Sequence, residues 1–411
     1  MKKIKNDYIF FITCLYLLVF QNILQDYIKV FKYFDEILAL LVIPFALIEA
    51  IKNRTQKTIK KNNLIIIVSL IALCITGLYS NLEYNIQPFN IYISDLIVVL
   101  KFFLVYYLSY IMWPKSFYLK QKEKVFFHIK IITIMLLILS IGNYIFDLFP
   151  GEFRLGIKTN QLYYSHPTYL AAVCIFLLAL CIRCSEKIIS IYSVINIIIL
   201  ISTLRFKAIG SAIAAIIMAI YIDKSNKKLS ISKLGLIGLV LLIVAYDQIS
   251  FYFLENNGYA RQELTEKSLE IAKDYFPVGT GFGTYGSYYS TVEYSPVYYT
   301  YKLSNIYGLQ KKYSIFASDS FWPMIIGQFG YLGTIIYIYI LCIVFKMIQT
   351  EFNKKNKYNY ISKIICIAYL LISSTAESAF VNPLAIPLAI LIGTKKDKDE
   401  INENINNCAN I

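Results

Sequence analysis

The stretch LIIIVSLIALCITGL, from Leu64 to Leu78, contains no charged side chain and decides the class of fold. A helix needs roughly 20 mostly apolar residues to cross the hydrocarbon of a membrane. Comparable uncharged runs occur at 131–141, 170–182 and 234–245. The whole chain is 57% hydrophobic and 16% charged, whereas soluble proteins carry about 25% charged residues. The sequence therefore predicts an integral membrane protein with many spans and excludes a soluble domain.

Twelve apolar segments are predicted to cross the membrane as an all-α helical bundle, and they are 8–24, 37–50, 64–79, 91–113, 125–148, 166–182, 188–203, 208–222, 234–253, 321–345, 364–377 and 381–393. If the N-terminal lysines lie in the cytoplasm, the inner segments carry 26 Lys and Arg residues and the outer segments carry 12. This bias follows the positive-inside rule. The net charge of +14 therefore orients the chain and does not indicate a nucleic-acid partner. The last two segments are short, so 11 spans remain an alternative.

A single transmembrane domain is predicted over 1–393, with a long outer loop at 254–320 and a polar cytoplasmic tail at 394–411. Helical spacing from Ala260 to Phe276 places apolar side chains on one face and charged side chains on the other. This pattern predicts an amphipathic helix that lies on the outer surface or against the bundle. Arg261 falls at the centre of the apolar face, where it either meets a ligand or buried partner or extends to water.

The same loop continues as Pro277-Val-Gly-Thr-Gly-Phe-Gly-Thr-Tyr-Gly286. Gly281-x-Gly283-x-x-Gly286 matches a dinucleotide-binding string, but no strand–helix–strand unit surrounds it. A turn in which Gly281 and Gly283 let the backbone approach a ligand or the membrane surface is the better interpretation. The loop also holds 11 tyrosines, which suit either a membrane interface or a surface that stacks on sugars.

Basic residues flank several predicted outer span ends, where the positive-inside rule disfavours them. Arg154 and Lys158 follow one span, and Arg205 and Lys207 lie in the turn between two others. Together with Arg261, and with His166 behind Arg154, they predict a cationic substrate-binding pocket at the outer leaflet. Arginine binds phosphate oxygens bidentately and stays charged, so a lipid-linked diphosphate is the anion that such a pocket fits. Contact with lipid headgroups is the alternative.

Candidate acids and bases are fewer than the cations. Asp319 stands where the long loop enters a span, and Glu377 lies at the break between the last two spans. Either carboxylate can take a proton from a sugar hydroxyl. Asp95 and Lys101 are charges within a predicted span, but their spacing of six residues places them on different helix faces. No metal site is predicted, because the chain has only two histidines and most of its cysteines lie in apolar runs.

These residues resemble a known family pattern. The matching features are Arg154-Leu-Gly156 before His166-Pro167, then Ser202-Thr-Leu-Arg205-Phe-Lys207, then Arg261 before Pro277-Val-Gly-Thr-Gly-Phe-Gly283, and finally Asp319-Ser-Phe-Trp before Gly327-Gln-Phe-Gly-Tyr-Leu-Gly333. The chain resembles the Wzy-type polymerases of capsular polysaccharide and O-antigen, in the O-antigen ligase/polymerase superfamily.

The resemblance implies a metal-independent glycosyltransferase with a GT-C-like helical bundle and no cofactor, in the bacterial cytoplasmic membrane. Such enzymes join undecaprenyl-diphosphate-linked repeat units at the outer face, alongside flippases and chain-length regulators. Arg154, Arg205 and Arg261 are expected to hold the diphosphate, and Asp319 to activate the acceptor, with Glu377 as the alternative base. Ligases of the superfamily commonly carry a histidine near the position of Asp319, so the aspartate favours a polymerase. A ligase and a flippase or exporter remain the alternative functions.

Overall fold

The computed structural model describes residues 2–52, 61–112, 115–154, 156–230 and 259–393. Within these ranges the chain forms α-helices and one short hairpin. The helices are α1 (Lys2–Val19), α2 (Gln21–Tyr27), α3 (Phe34–Leu40), α4 (Val42–Lys52), α5 (Lys61–Tyr84), α6 (Phe89–Met112), α7 (Lys115–Phe146), α8 (Pro167–Ser185), α9 (Ile191–Ser202), α10 (Phe206–Ser225), α11 (Ala260–Asp274), α12 (Tyr289–Val292), α13 (Pro296–Thr300), α14 (Phe321–Thr350), α15 (Lys357–Ser373) and α16 (Ala385–Ile392). The hairpin pairs β1 (Phe153–Arg154) with β2 (Ile157–Lys158). The predicted span 234–253, the start of the outer loop and the tail 394–411 lie outside the described residues.

Six helices in the described ranges are long and apolar enough to cross a membrane, so the chain has the all-α, multi-pass character that its composition predicts. They lie within α5, α6, α7, α8, α10 and α14. A seventh span results if α1 and α2 are counted together, although the chain bends by 76° between them.

Four further predicted spans correspond to shorter helices, so the count of 11 or 12 spans stays a prediction. The segment 37–50 is divided between α3 and α4, and 188–203 contains the 12-residue α9. The segment 364–377 overlaps α15, and 381–393 contains α16, whose eight residues are all buried. A short apolar stretch is more often a buried core helix than a span, and hydropathy alone does not separate the two.

Helix α8 lies at the centre of the bundle. Its first residue is Pro167, which suits the start of a helix because its fixed φ is already helical and its missing N–H would have no helical partner. Sixteen of its nineteen residues are buried, and it packs against α7, α9 and α15. This packing fixes the N-terminal end of α8, and with it His166, at one end of the bundle.

The amphipathic helix predicted from Ala260 to Phe276 is present as α11, which packs against α14. Leu264, Ser268 and Ile271 are buried on its inner face. The helix therefore lies against the bundle, the second of the two placements that its periodicity allows.

The glycine-rich segment that follows α11 packs into the bundle and contacts α14 through its backbone. Helix α14 is broken at Gly330, which has φ of 60°. Near this break, the carbonyls of Gly327 and Gln328 accept hydrogen bonds from the backbone N–H groups of Thr280 and Gly281, at 3.1 and 2.8 Å. The two glycine-containing motifs of the sequence are therefore packed against each other.

The same segment also contacts α5 and α6. Asn81 accepts a hydrogen bond from the N–H of Phe282 at 2.8 Å and donates one to its carbonyl at 2.9 Å. Asp95 accepts from the N–H of Gly283 at 2.8 Å. A Cβ on Gly281 would lie 2.7 Å from Asn81, so only glycine allows this approach.

A charged cavity as the candidate active site

A cavity of about 970 Å³ opens at the end of the bundle where α8, α10 and α14 begin. Its walls come from segments far apart in the sequence, including α2, α3, α6, the hairpin, α11 and the residues around Glu377. Among the described residues, six Lys and Arg side chains line it against four Asp and Glu. They are Lys32, Lys101, Arg154, Arg205, Lys207 and Arg261, and Glu36, Glu152, Asp319 and Glu377.

Seven of the ten site residues predicted from the sequence line this cavity. They are Arg154, His166, Arg205, Lys207, Arg261, Asp319 and Glu377. The other three, Lys158, Gly281 and Gly283, do not line it. The structure thus brings most of the separate motifs to one place.

Both carboxylates predicted as bases are paired with cations. Arg261 contacts Asp319 at 3.0 Å between NH2 and Oδ2, and both side chains are about one-third exposed. Lys207 lies 3.7 Å from Glu377 and donates a hydrogen bond to the carbonyl of Ala376 at 3.2 Å. Arg261 on the apolar face of α11 therefore has a partner from the start of α14, which the helix periodicity alone does not identify.

Arg205 is the most buried arginine of the cavity. Its NH2 group contacts Glu152 at 3.2 Å and donates to Nε2 of His166 at 2.8 Å. Glu152 also pairs with Arg154 at 3.4 Å. The Nε atom of Arg205 is buried and has no hydrogen-bond partner among the described residues. Burial, and then the charge of Arg154, lowers the pKa of the Arg205 guanidinium.

His166 immediately precedes α8 and is held as a neutral ring. Arginine can only donate, so the Nε2 atom that receives the Arg205 hydrogen bond carries no proton. Its Nδ1 atom lies 2.7 Å from Oγ1 and 3.3 Å from the backbone nitrogen of Thr168. Burial, reinforced by the charge of Arg205, lowers the pKa of His166 to about 4.

The cavity is also lined by members of a charged cluster on α3 and α6, which the sequence analysis did not predict. Lys101 on α6 pairs with Asp35 and, at 3.0 Å, with Glu36 at the start of α3. Gln21 donates to Asp35 at 2.9 Å. Lys101 and Asp95 are not paired, as their spacing on α6 predicted. The only signal for Asp35 and Glu36 was their position directly before an apolar run.

An aromatic surface adjoins this cluster. Tyr33, Tyr288 and Tyr289 line the cavity. Nζ of Lys32 lies 5.5 Å from the ring centroid of Tyr288 and 5.7 Å from that of Tyr33. Part of the tyrosine enrichment in the outer loop is therefore found in the cavity rather than at a membrane interface.

The three remaining predicted residues have other surroundings. Lys158 pairs with Asp147, whose side chain is 79% exposed, and lines a smaller pocket near Pro150. Gly281 and Gly283 are buried against α5 and α6, where a Cβ on either would meet a neighbouring side chain. Their positions are explained by packing of the loop onto the bundle.

Within the described parts of the chain, no group of three or more His, Cys, Asp or Glu side chains is arranged to hold a metal ion. No protein-family model matches the chain, and no curated protein matches it. The case for its function is therefore made from the cavity and the sequence motifs.

Proposed function

We propose that the chain is a membrane glycosyltransferase that polymerises undecaprenyl-diphosphate-linked oligosaccharide repeat units. The observation that carries this proposal is the convergence of Arg154, Arg205, Lys207 and Arg261 on one cavity. These residues come from three parts of the chain that the sequence motifs mark separately. The resemblance of those motifs to Wzy-type polymerases gives the substrate class.

The cations suit a diphosphate leaving group. The Nε–H of Arg205 is buried without an acceptor among the described residues, and leaving such a donor unsatisfied costs about 1–3 kcal/mol. A phosphate oxygen would satisfy it and would also bind the neighbouring guanidinium groups bidentately. As the bond to the sugar breaks, negative charge grows on the diphosphate, and fixed cations in a partly dry cavity stabilise that charge.

The proposal includes a topology. The N-terminus lies in the cytoplasm, because the predicted inner segments carry most of the Lys and Arg residues. The cavity then faces the outer side of the bacterial cytoplasmic membrane, and residues 259–320 of the long loop supply one of its walls. Lipid-linked units reach this position after a flippase has brought them across, and a chain-length regulator is a further expected partner.

Deletion and complementation in the source bacterium test the proposal. The deletion strain should lose high-mass polysaccharide and accumulate single repeat units on lipid. Genes carrying Arg205→Ala or Arg261→Ala should restore less than about one-hundredth of the polymer, since loss of one charge-stabilising donor typically costs 10²–10³ in rate. Lys267→Ala is the matched control, because Lys267 lies on α11 like Arg261 but pairs with Glu270 and does not line the cavity.

The outcomes separate the alternatives. Unchanged polymer in the deletion strain, or full restoration by both arginine variants, contradicts the proposal. Polymer that forms normally but fails to reach its final acceptor supports a ligase. Polymerisation by purified protein in the absence of any transmembrane gradient excludes a function limited to flipping or export.

A further inference from the structure

The four carboxylates of the cavity differ in how many Lys and Arg side chains they contact. Arg154, Arg205, Lys207 and Arg261 form what we call the arginine wall of the cavity. Glu152, Glu377 and Asp319 each contact at least one of these cations. Glu36 instead shares a single lysine, Lys101, with Asp35. The group of Asp35, Glu36 and Lys101 therefore carries surplus negative charge, whereas the pairs at Asp319 and Glu377 are neutral.

Glu36 also has an unused acceptor. Its Oε1 accepts from Lys101 at 3.0 Å. Its Oε2 is buried and has no hydrogen-bond partner among the described residues. A buried carboxylate oxygen without a donor is unfavourable, and in a cavity wall it is a position that a ligand hydroxyl satisfies.

The surroundings of Glu36 suit a saccharide. Tyr289 lines the same cavity as Glu36, and Tyr33 and Tyr288 lie beside Lys32 there. Aromatic side chains with hydroxyl groups pack on the apolar faces of sugar rings and donate hydrogen bonds to their edges. The arginines line the same cavity as Glu36, and so does Tyr169 on α8.

We propose that Glu36 is the base that accepts the proton of the acceptor hydroxyl, with Lys101 as its positioning residue. This assignment rests on the polymerase function proposed above. The acceptor O–H bond breaks and its proton moves to Oε2 of Glu36, while the acceptor oxygen bonds to the anomeric carbon of the donor. The bond from that carbon to the diphosphate breaks, and its electron pair leaves with the lipid diphosphate held by Arg205 and Arg261. Glu36 later returns the proton to water.

The assignment differs from the roles expected of Asp319 and Glu377. Asp319 and Glu377 each have a cation partner from the arginine wall, whereas Glu36 shares Lys101 with Asp35. They act as positioning residues for Arg261 and Lys207. Burial above all, together with the charge of Asp35 and against the effect of Lys101, raises the pKa of Glu36 to about 7. A general base is most effective when its pKa lies near the working pH.

The test uses purified full-length protein and lipid-linked repeat units extracted from the deletion strain. Glu36→Gln should lower the initial rate of polymerisation at least about 100-fold, as expected for loss of a general base. Asp26→Asn is the matched control, because Asp26 lies in the same part of the chain but is exposed and outside the cavity. The wild-type rate should rise with pH through about 7, and the residual rate of Glu36→Gln should lack that rise.

Binding of undecaprenyl diphosphate is measured by the shift that it causes in the melting temperature. This shift should be equal in wild type and Glu36→Gln and smaller in Arg205→Ala. If the wild-type protein is active and Glu36→Gln polymerises at a rate within threefold of wild type, the assignment of Glu36 is wrong. The proposed polymerase function is then unaffected. A pH-independent wild-type rate between pH 5.5 and 8.5 also overturns the assignment, without any variant having to fold. Wild-type protein that forms no polymer overturns both this assignment and the proposed function.

Discussion

Residues 259–320 contribute to the charged cavity and contain the glycine-rich segment, but the two regions differ in how tightly they are packed. At Gly279, a Cβ would lie 2.4 Å from the backbone nitrogen of Gly330, so the segment and α14 touch through their main chains. In the cavity, Arg205 and Glu36 have buried polar atoms without hydrogen-bond partners among the described residues, beside about 970 Å³ of space. Close backbone packing indicates a structural junction, whereas unsatisfied polar atoms beside open space indicate a binding site.

The largest effect on stability is expected at the junction. Gly279→Ala adds a Cβ against the backbone of α14 at a residue with φ of 72°. The positive φ costs about 1–2 kcal/mol and overpacking about 1–3 kcal/mol. Gly156→Ala is the control, since Gly156 has φ of 74° but no atom within 4 Å of the added Cβ. Thermal unfolding in detergent should show a clearly larger loss for Gly279→Ala, and equal losses would contradict the packing described.

A smaller effect, dependent on pH, is expected at the cavity. The folded-state pKa of His166 is about 4, below its ordinary value of 6.5, so the fold favours the neutral ring. Above pH 6.5 the ring is neutral in both states. As pH falls from 6.5 toward 4, the unfolded chain binds a proton that the folded chain does not, and stability decreases. The melting temperature should fall in that window less steeply in His166→Gln than in wild type. Parallel curves would mean that His166 is not held neutral.

The smallest effect is expected at Lys158, which the sequence placed with the substrate-binding cations. Its partner Asp147 is mostly exposed, and exposed ion pairs contribute about 0–1 kcal/mol. Lys158→Ala should therefore change both the melting temperature and the polymerisation rate only slightly. A loss of activity as large as that of Arg205→Ala would place Lys158 in the substrate site and would extend the cavity beyond its described walls.

The sequence predicted the cationic part of the cavity because each cation carries its own local signal. Arg154, Arg205 and Lys207 stand beside apolar spans on the side where basic residues are disfavoured, and Arg261 breaks a helical pattern. Both signals are readable within about 20 residues. They do not require knowledge of how distant segments pack.

Other features depend on contacts that local patterns do not contain. Glu36 meets Lys101 only because α3 packs on α6, and at a separation of 65 positions the sequence gives no sign of this pairing. The glycine string was equally ambiguous, since close approach to a ligand and close approach to another helix require the same freedom at Gly281 and Gly283.

The pairing of cations with carboxylates in the cavity has a consequence for selectivity. Six Lys and Arg against four Asp and Glu leave the walls only weakly positive in the part of the chain that the structure describes. Such a cavity exerts little long-range attraction on soluble anions, which must displace internal ion pairs to enter. A diphosphate anchored in the bilayer meets the same cavity at a high effective concentration, because its lipid confines it to the membrane. For the proposed lipid-linked substrate, the ion pairs would thereby favour ligands arriving through the membrane over those arriving from water.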